Sequence, residues 1–276
     1  MSDIHVFNHS AMATQFQVRI AGEEKVYAEG VAQAAFELID NLENKLSRFQ
    51  ENSEITHIAG LVVGEQLRLT EPVFACLAIA QKMEAATGGA FSITAAALKK
   101  QPERPLWTLL PEEFSIRCDR GRLEFDLGAI GKGFAIDRVA RLMEDWSCPA
   151  YMLVAGGSSI LAGAPPAGKI GWNCGLGKGE KQERYFLKDR SLSSSGIAAQ
   201  GRHILDPRTG QPAMVRDNTW AVTDSAAESD ALSTAAMVLS ETEIAEVVAK
   251  NNSWLVFLKD EEKWRQLGQC PLPPVA

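Results

Sequence analysis

The segment Asp126-Leu-Gly-Ala-Ile-Gly-Lys-Gly133 places three glycines within six positions and runs straight into Ile136, Val139, Leu142 and Met143, apolar residues three and four apart. That spacing predicts an amphipathic helix. Just before it, Leu123 and Phe125 alternate with polar neighbours, which predicts a strand over Arg122–Asp126. A strand, a glycine turn and a helix therefore follow one another. Glycines at such a turn serve one of two ends: they let the free N–H groups of the helix start approach an anion, or they let two elements pack closely. The pattern is not a P-loop, because G-x-x-x-x-G-K-[ST] requires glycine at Asp126 and a hydroxyl at Gly133. It matches the dinucleotide fingerprint poorly as well.

Other segments declare their periods. Phe16, Val18 and Ile20 alternate with Gln17 and Arg19, as in a half-buried strand, and Val31, Ala34, Ala35, Leu38, Leu42 and Leu46 form a helical stripe. A second helix lies between Pro72 and Gly88-Gly89, with Val73, Cys76, Leu77, Ala80 and Met83 inward. Tyr151–Val154 is a short apolar run ending at Gly156-Gly157, followed by a Gly/Pro/Ala-rich loop from Leu161 to Gly168. Strands are predicted near Ile170–Gly175, Tyr185–Leu187, Leu192–Ser194, Thr219–Val222 and Trp254–Leu258, and helices near Glu228–Leu239 and Thr242–Lys250. Gln101–Pro111 is the one candidate linker. Helices and strands occur in mixed order without βαβ alternation, which favours an α+β class over a doubly wound sheet. The length, 276 residues, allows one large domain or two small ones.

Charge narrows the function classes. Lys and Arg number 28 against 35 Asp and Glu, a formal net charge of −7, so the basic footprint of a general nucleic-acid or anionic-membrane binder is missing. The five cysteines, Cys76, Cys118, Cys148, Cys174 and Cys270, form no C-x-x-C pair and have an odd total, so reduced thiols are expected rather than a disulfide framework or a zinc ribbon. No run of 18 apolar residues occurs, and residues 1–20 carry no basic segment followed by an apolar one. The expectation is a cytoplasmic protein without a membrane anchor.

Two further clusters could carry chemistry. In His203-Ile-Leu-Asp-Pro-Arg-Thr-Gly210, Asp206-Pro207 opens a turn that Gly210 closes, and His203 is either a general base or a satisfied polar residue beside a hairpin connection. In Glu228-Ser-Asp-Ala-Leu-Ser-Thr234, Asp230 and Thr234 stand four apart, so on a helix a carboxylate and a hydroxyl face one point. Hard oxygen donors of this kind suit Mg²⁺ sharing its shell with phosphate; the competing reading is capping by Ser229 or Asp230.

Taken in order, Ala11-Met-Ala-Thr14, Leu46-Ser-Arg-Phe49, Ser53-Glu-Ile-Thr56, Thr87-Gly-Gly-Ala-Phe-Ser-Ile-Thr94, Asp126 to Asp137, Val154-Ala-Gly-Gly157, Ser195-Gly196, His203 to Pro212 and Ser229 to Leu239 resemble the FAD:protein FMN transferase family, also called ApbE. The resemblance spans Met12 to Leu239 and implies a single domain over 1–276, an α+β flavin transferase fold with mixed sheets flanked by helices. It further implies Mg²⁺-dependent transfer of FMN from FAD to a threonine or serine hydroxyl of an acceptor protein, with release of AMP. By the same resemblance Met12 touches the flavin end, Ala90, Phe91 and Ser92 line that pocket, and Asp126 and Lys132 hold the dinucleotide. The Ala129 carbonyl and the side chains of Asp230 and Thr234 hold the metal with Ser233 beside them, and His203 deprotonates the acceptor hydroxyl or positions the phosphate.

This chain departs from the family pattern in three places. Phe91-Ser-Ile-Thr94 stands where the family has F-D-[IP]-T, Ile197–Arg202 is short between Ser195-Gly196 and His203, and Lys99–Trp107 replaces a tryptophan-bearing loop. These motivate an alternative: a non-catalytic or FAD-hydrolysing flavin-binding protein.

Overall fold

A computed structural model describes residues 3–95, 97, 106–177, 182–196, 205–211, 216–260, 263–270 and 272–275. Strands β1 (Ile4–Ala11) and β2 (Thr14–Ala21) form a hairpin whose last pair, Ala11↔Thr14, leaves Met12 and Ala13 as a two-residue turn. They open an eight-stranded sheet in the order β1-β2-β6-β7-β10-β11-β12-β13. Its other members are β6 (Tyr151–Ala155), β7 (Ser159–Ala162), β10 (Arg190–Gly196), β11 (Asn218–Thr223), β12 (Leu255–Asp260) and β13 (Lys263–Leu267). Three short strands, β3 (Gln66–Arg68), β4 (Trp107–Leu110) and β5 (Ser115–Cys118), make a second sheet, and β8 (Trp172–Leu176) pairs with β9 (Glu183–Leu187).

Both faces of the large sheet are covered, and strand alternation sorts residues between two cores. Val256 and Leu258 of β12 face the helical side, while Leu255 and Phe257 join Trp172, Leu187, Leu192 and Trp220 on the other. On the helical side lie α1 (Lys25–Leu46), α2 (Glu54–Ala59) and α3 (Glu71–Ala86), with α4 (Gly131–Asp145), α5 (Ala226–Ala236) and α6 (Glu241–Ala249) following. The buried stripe of α1 runs through Val31, Ala32, Ala35, Ile39, Leu42 and Leu46, so Ala34 and Leu38 flank it. The α+β class expected from the mixed element order is the one observed.

Two local expectations are corrected. Arg122–Asp126 is not a strand: Leu123 and Phe125 are buried and Asp126 N–H donates to the Ile93 carbonyl at 2.7 Å, but the segment joins no ladder. Any extended segment laid along a core alternates its burial, with or without a sheet partner. Nor is the described part of Gln101–Pro111 a linker, because Leu106, Trp107 and Leu109 are buried and residues 107–110 form β4; residues 101–105 lie outside the described set. The cysteines are free thiols, and burial pushes that of Cys76 up to about 12.

What positions the site is the crossing of α4 and α5. A Cβ placed on Gly133 would lie 2.1 Å from the Ala226 carbonyl oxygen, so only glycine lets the two backbones approach this closely. One turn further along, Asp137 caps α5: its carboxylate accepts from Ser225 Oγ and Ala226 N at 2.6 Å and from Ala227 N at 2.9 Å. Burial raises the Asp137 pKa, opposed by those bonds, with the nearby Asp230 charge raising it further. Gly133→Ala therefore drives the two helices apart, and an overpacking cost of about 2–3 kcal/mol is expected. Urea unfolding checks this through a lowered midpoint.

Candidate functional site

Asp230 and Thr234 occupy the second turn of α5 and the one after it. The helix is capped at Ser225, whose side chain accepts from Glu228 N, so neither Ser229 nor Asp230 serves as the cap. Spaced by four, the Asp230 and Thr234 side chains share a face and line one cavity of about 560 Å³. Ala129 and Lys132 of the glycine segment line the same cavity, as do Ala90, Phe91, Ser92 and Asp126. A neighbouring cavity of about 360 Å³ is lined by Met12, Arg48 and Phe49 and shares Asp126, Gly128 and Lys132 with the first. Met12 thus belongs to the second chamber, across the glycine segment from Asp230. His203 lies outside the described residues; Leu205 and Pro207 are on the wall of the larger cavity.

Four amides of the glycine segment are engaged within the protein. Gly128 N–H donates to Asp126 Oδ1 at 2.9 Å, Ile130 N–H and Gly131 N–H both donate to the Leu127 carbonyl, and Gly133 N–H donates to Asp230 Oδ2 at 2.8 Å. The turn therefore closes on itself and on α5. Positive charge at the cavity comes instead from Lys132, whose Nζ donates to the Gly128 carbonyl at 3.0 Å. Arg48 stands 3.2 Å from Asp126, both half exposed, a pairing of small energetic weight.

Asp230 is 5% exposed. Besides Gly133, it accepts from Ser159 Oγ at 2.6 Å on its other oxygen. Burial raises its pKa, and the Lys132 charge and the hydrogen bonds from Ser159, Ser193 and Gly133 work against that rise. Three donated hydrogen bonds against about four lone-pair positions leave carboxylate acceptor capacity over. With the Thr234 hydroxyl and the Ala129 residue on the same wall, the donor set is hard oxygen, of the kind Mg²⁺ takes together with phosphate and water. Among the described residues no group of three or more His, Cys, Asp or Glu converges, and Asp230 is the carboxylate of this donor set.

Two contributors were not readable beforehand. Ser159 on β7 comes from a strand distant in sequence. The second is Glu84 of α3, whose Oε2 lies 3.3 Å from Ser92 Oγ. Ser92 also contacts Thr94 Oγ1 at 3.0 Å. A carboxylate thus stands beside the position where the family pattern has aspartate, delivered from a helix instead of from the loop.

Comparison with known proteins follows the same outline. The ApbE family model matches residues 12–257. A FAD:protein FMN transferase of Klebsiella pneumoniae is 22% identical over 88% of this chain and 81% of its own length. A FAD:protein FMN transferase of Escherichia coli is 28% identical over 53% of this chain, which spans 45% of that relative's length. The fold of flavin transferase ApbE from Vibrio cholerae superposes with a TM-score of 0.83, at 19% identity, covering 96% of this chain and 97% of that one.

Exchanging the buried carboxylate for its isosteric amide tests the electrostatics. In Asp230→Asn the amide oxygen can still accept from Gly133 N–H, and the NH₂ faces Ser159 Oγ, which then turns its own proton away. At neutral pH, well above the unfolded aspartate pKa, the raised folded pKa means that ionised Asp230 costs stability, which the amide relieves. Scanning calorimetry in metal-free buffer is expected to show a melting temperature about 2–4 °C higher, corresponding to ~1 kcal/mol.

Proposed function

The chain belongs to the ApbE family, and from that premise we propose that it transfers FMN from FAD to a threonine or serine hydroxyl of an acceptor protein, releasing AMP. The observation that carries this reading is the cavity in which Asp126, Ala129, Lys132, Asp230 and Thr234 meet, brought together from two segments about a hundred residues apart. Its relatives' names support the same reaction.

In the transfer, the acceptor hydroxyl oxygen bonds to the phosphorus on the FMN side of the diphosphate. The bond from that phosphorus to the bridging oxygen breaks, AMP leaves with the bridging oxygen, and the hydroxyl proton passes to a base. Phosphoryl transfer asks a protein for positioning and for charge stabilisation. Lys132 supplies a fixed cation at the wall shared by the two chambers, and Asp126 lines both chambers beside it. Met12 on the smaller chamber, and Ala90, Phe91 and Ser92 on the larger, would hold the flavin end. Asp230, Thr234 and the Ala129 carbonyl would hold Mg²⁺, which when bound supplies Lewis-acid neutralisation of the phosphate oxygens. His203 is the proposed group for deprotonating the acceptor hydroxyl or positioning the phosphate.

The alternative, a flavin-binding protein that does not transfer, draws on the loss of aspartate at position 92. Glu84, whose Oε2 accepts from Ser92 Oγ at 3.3 Å, weakens that argument, because it brings a carboxyl group beside the same position. Incubation with FAD, Mg²⁺ and an acceptor protein is expected to leave covalent fluorescent flavin on the denatured acceptor and free AMP in solution. Asp230→Ala is expected to abolish both while the far-ultraviolet circular dichroism is unchanged. Wild-type turnover by Asp230→Ala would remove Asp230 from the reaction, and FAD recovered intact from the native enzyme would favour the non-transferring alternative.

A further inference from the structure

Beside Thr234, on the wall of the same cavity, runs a chain of hydroxyls, Ser195 and Ser233, that ends on a backbone carbonyl. Ser233 Oγ lies 3.0 Å from the Asp230 carbonyl oxygen, which can only accept, so the Ser233 proton goes there. Ser233 Oγ is then free to accept, and Ser195 Oγ stands 3.0 Å from it. If Ser195 gives its single proton to Ser233, it accepts from Thr234 Oγ1, 3.1 Å away. Ser195 is 5% exposed and Ser233 1%, so water competes little for these bonds. A further bond holds this stretch of α5 in place: Thr219 Oγ1 of β11 donates to the Ser233 carbonyl at 2.7 Å.

The consequence falls on Thr234. In that arrangement its proton points to Ser195, and its lone pairs are left for the cavity it lines. Were the chain to run the other way, the Thr234 proton would face the cavity and repel a cation there. We propose that Ser195 and Ser233 are positioning residues that hold the Thr234 hydroxyl as a pure acceptor toward a divalent cation, an inference that rests on the metal reading above. Groups behind a metal ligand set its orientation and basicity, and their loss typically costs ten- to a hundredfold in metal affinity. Within the hydroxyl rows of β10 this role belongs to Ser195: Ser191 contacts Ser229 at 2.7 Å and donates to the Ile160 carbonyl, away from Thr234.

The test is Mn²⁺ affinity of the full chain with excess FAD and no acceptor, read from the free-ion electron paramagnetic resonance signal. Ser195→Ala is expected to weaken Mn²⁺ about tenfold in the wild-type background and less than about twofold when Thr234 is already valine. Ser191→Ala, which also removes a buried hydroxyl from β10, is expected to leave the affinity unchanged. Thermal melts confirm that each variant is folded; should Ser195→Ala fail to fold, Ser195→Cys, a much weaker acceptor of similar size, carries the same expected direction. Unchanged affinity in Ser195→Ala alongside a loss in Thr234→Val overturns the relay and leaves the metal reading standing. An equal loss from Ser195→Ala in both backgrounds also overturns the relay, since the effect would not pass through Thr234. Wild-type affinity in Thr234→Val overturns the metal reading itself.

Discussion

The hydrogen bond from Gly133 N–H to Asp230 Oδ2 joins the start of α4 to the middle of α5, and nearly everything about the site depends on it. It forms because Gly133 has no side chain to hold the helices apart, and it is aimed because Asp137, four residues on, grips the first turn of α5 through three hydrogen bonds. Spacing by four puts Gly133 and Asp137 on one face of α4 and Asp230 and Thr234 on one face of α5. Two faces, once crossed, bring the glycine segment, Lys132 and the α5 oxygens to a common cavity. The third glycine of the cluster is therefore a packing device first, and its contribution to chemistry passes through the carboxylate it orients.

Holding Asp230 in this way is expensive, since a buried carboxylate loses hydration that a few hydrogen bonds only partly replace. The fold offsets the cost locally with the Lys132 charge and with hydroxyls. Ser159 reaches Asp230, while Ser191 and Ser193 both contact Ser229 at 2.7 Å, so the face of β10 against α5 is a row of small polar side chains. An apolar filling of the same volume would be at least as stable. A hydroxyl face keeps the backbone of α5 close to the sheet and leaves the carboxylate with the Lys132 charge to balance its burial, a state that an arriving cation improves.

Much of the fold was readable where one period ran long enough. The stripes of α1 and α3 and the alternation of β2 needed no tertiary information, because each element buries one face against the same core. β1 shows apolar residues on both faces, with Ile4 and Val6 exposed at a sheet edge, and β13 is a half-exposed edge strand, so neither announces itself. β7 is four residues long and merges into the small-residue loop after it. At Arg122–Asp126 the alternation was real but its cause was the core beneath, not a ladder. Of the site, the Asp230–Thr234 pair was visible as helical spacing, whereas its convergence with Ala129 and Lys132 was implied only by the order of the motifs. Glu84 and Ser159 carry no local signal, since their relevance arises from which strand or helix happens to pack beside them.

The β1–β2 turn shows how the fold gives up stability at the edge of this site. Its two central residues both have positive φ, 50° at Met12 and 55° at Ala13, the conformation that matches the twist of a two-residue hairpin and that Asn-Gly adopts with least strain. An L-residue with a Cβ costs about 1–2 kcal/mol there. Met12 and Ala13 incur that cost twice in a hairpin whose eight-pair register fixes the conformation regardless of what the turn prefers. What the hairpin gains is a polarizable, adaptable side chain held on the wall of the smaller chamber, across the Asp126–Lys132 segment from Asp230. Strain retained by a strong scaffold, next to a cavity with which the sheet otherwise has no reason to be involved, is the pattern of a backbone shaped by what it must present. The hairpin and the α4–α5 crossing are thus two versions of one arrangement. In each, an unfavourable local choice is imposed by extensive packing elsewhere, and in each the residue so held faces the chambers that Asp126 and Lys132 divide between them.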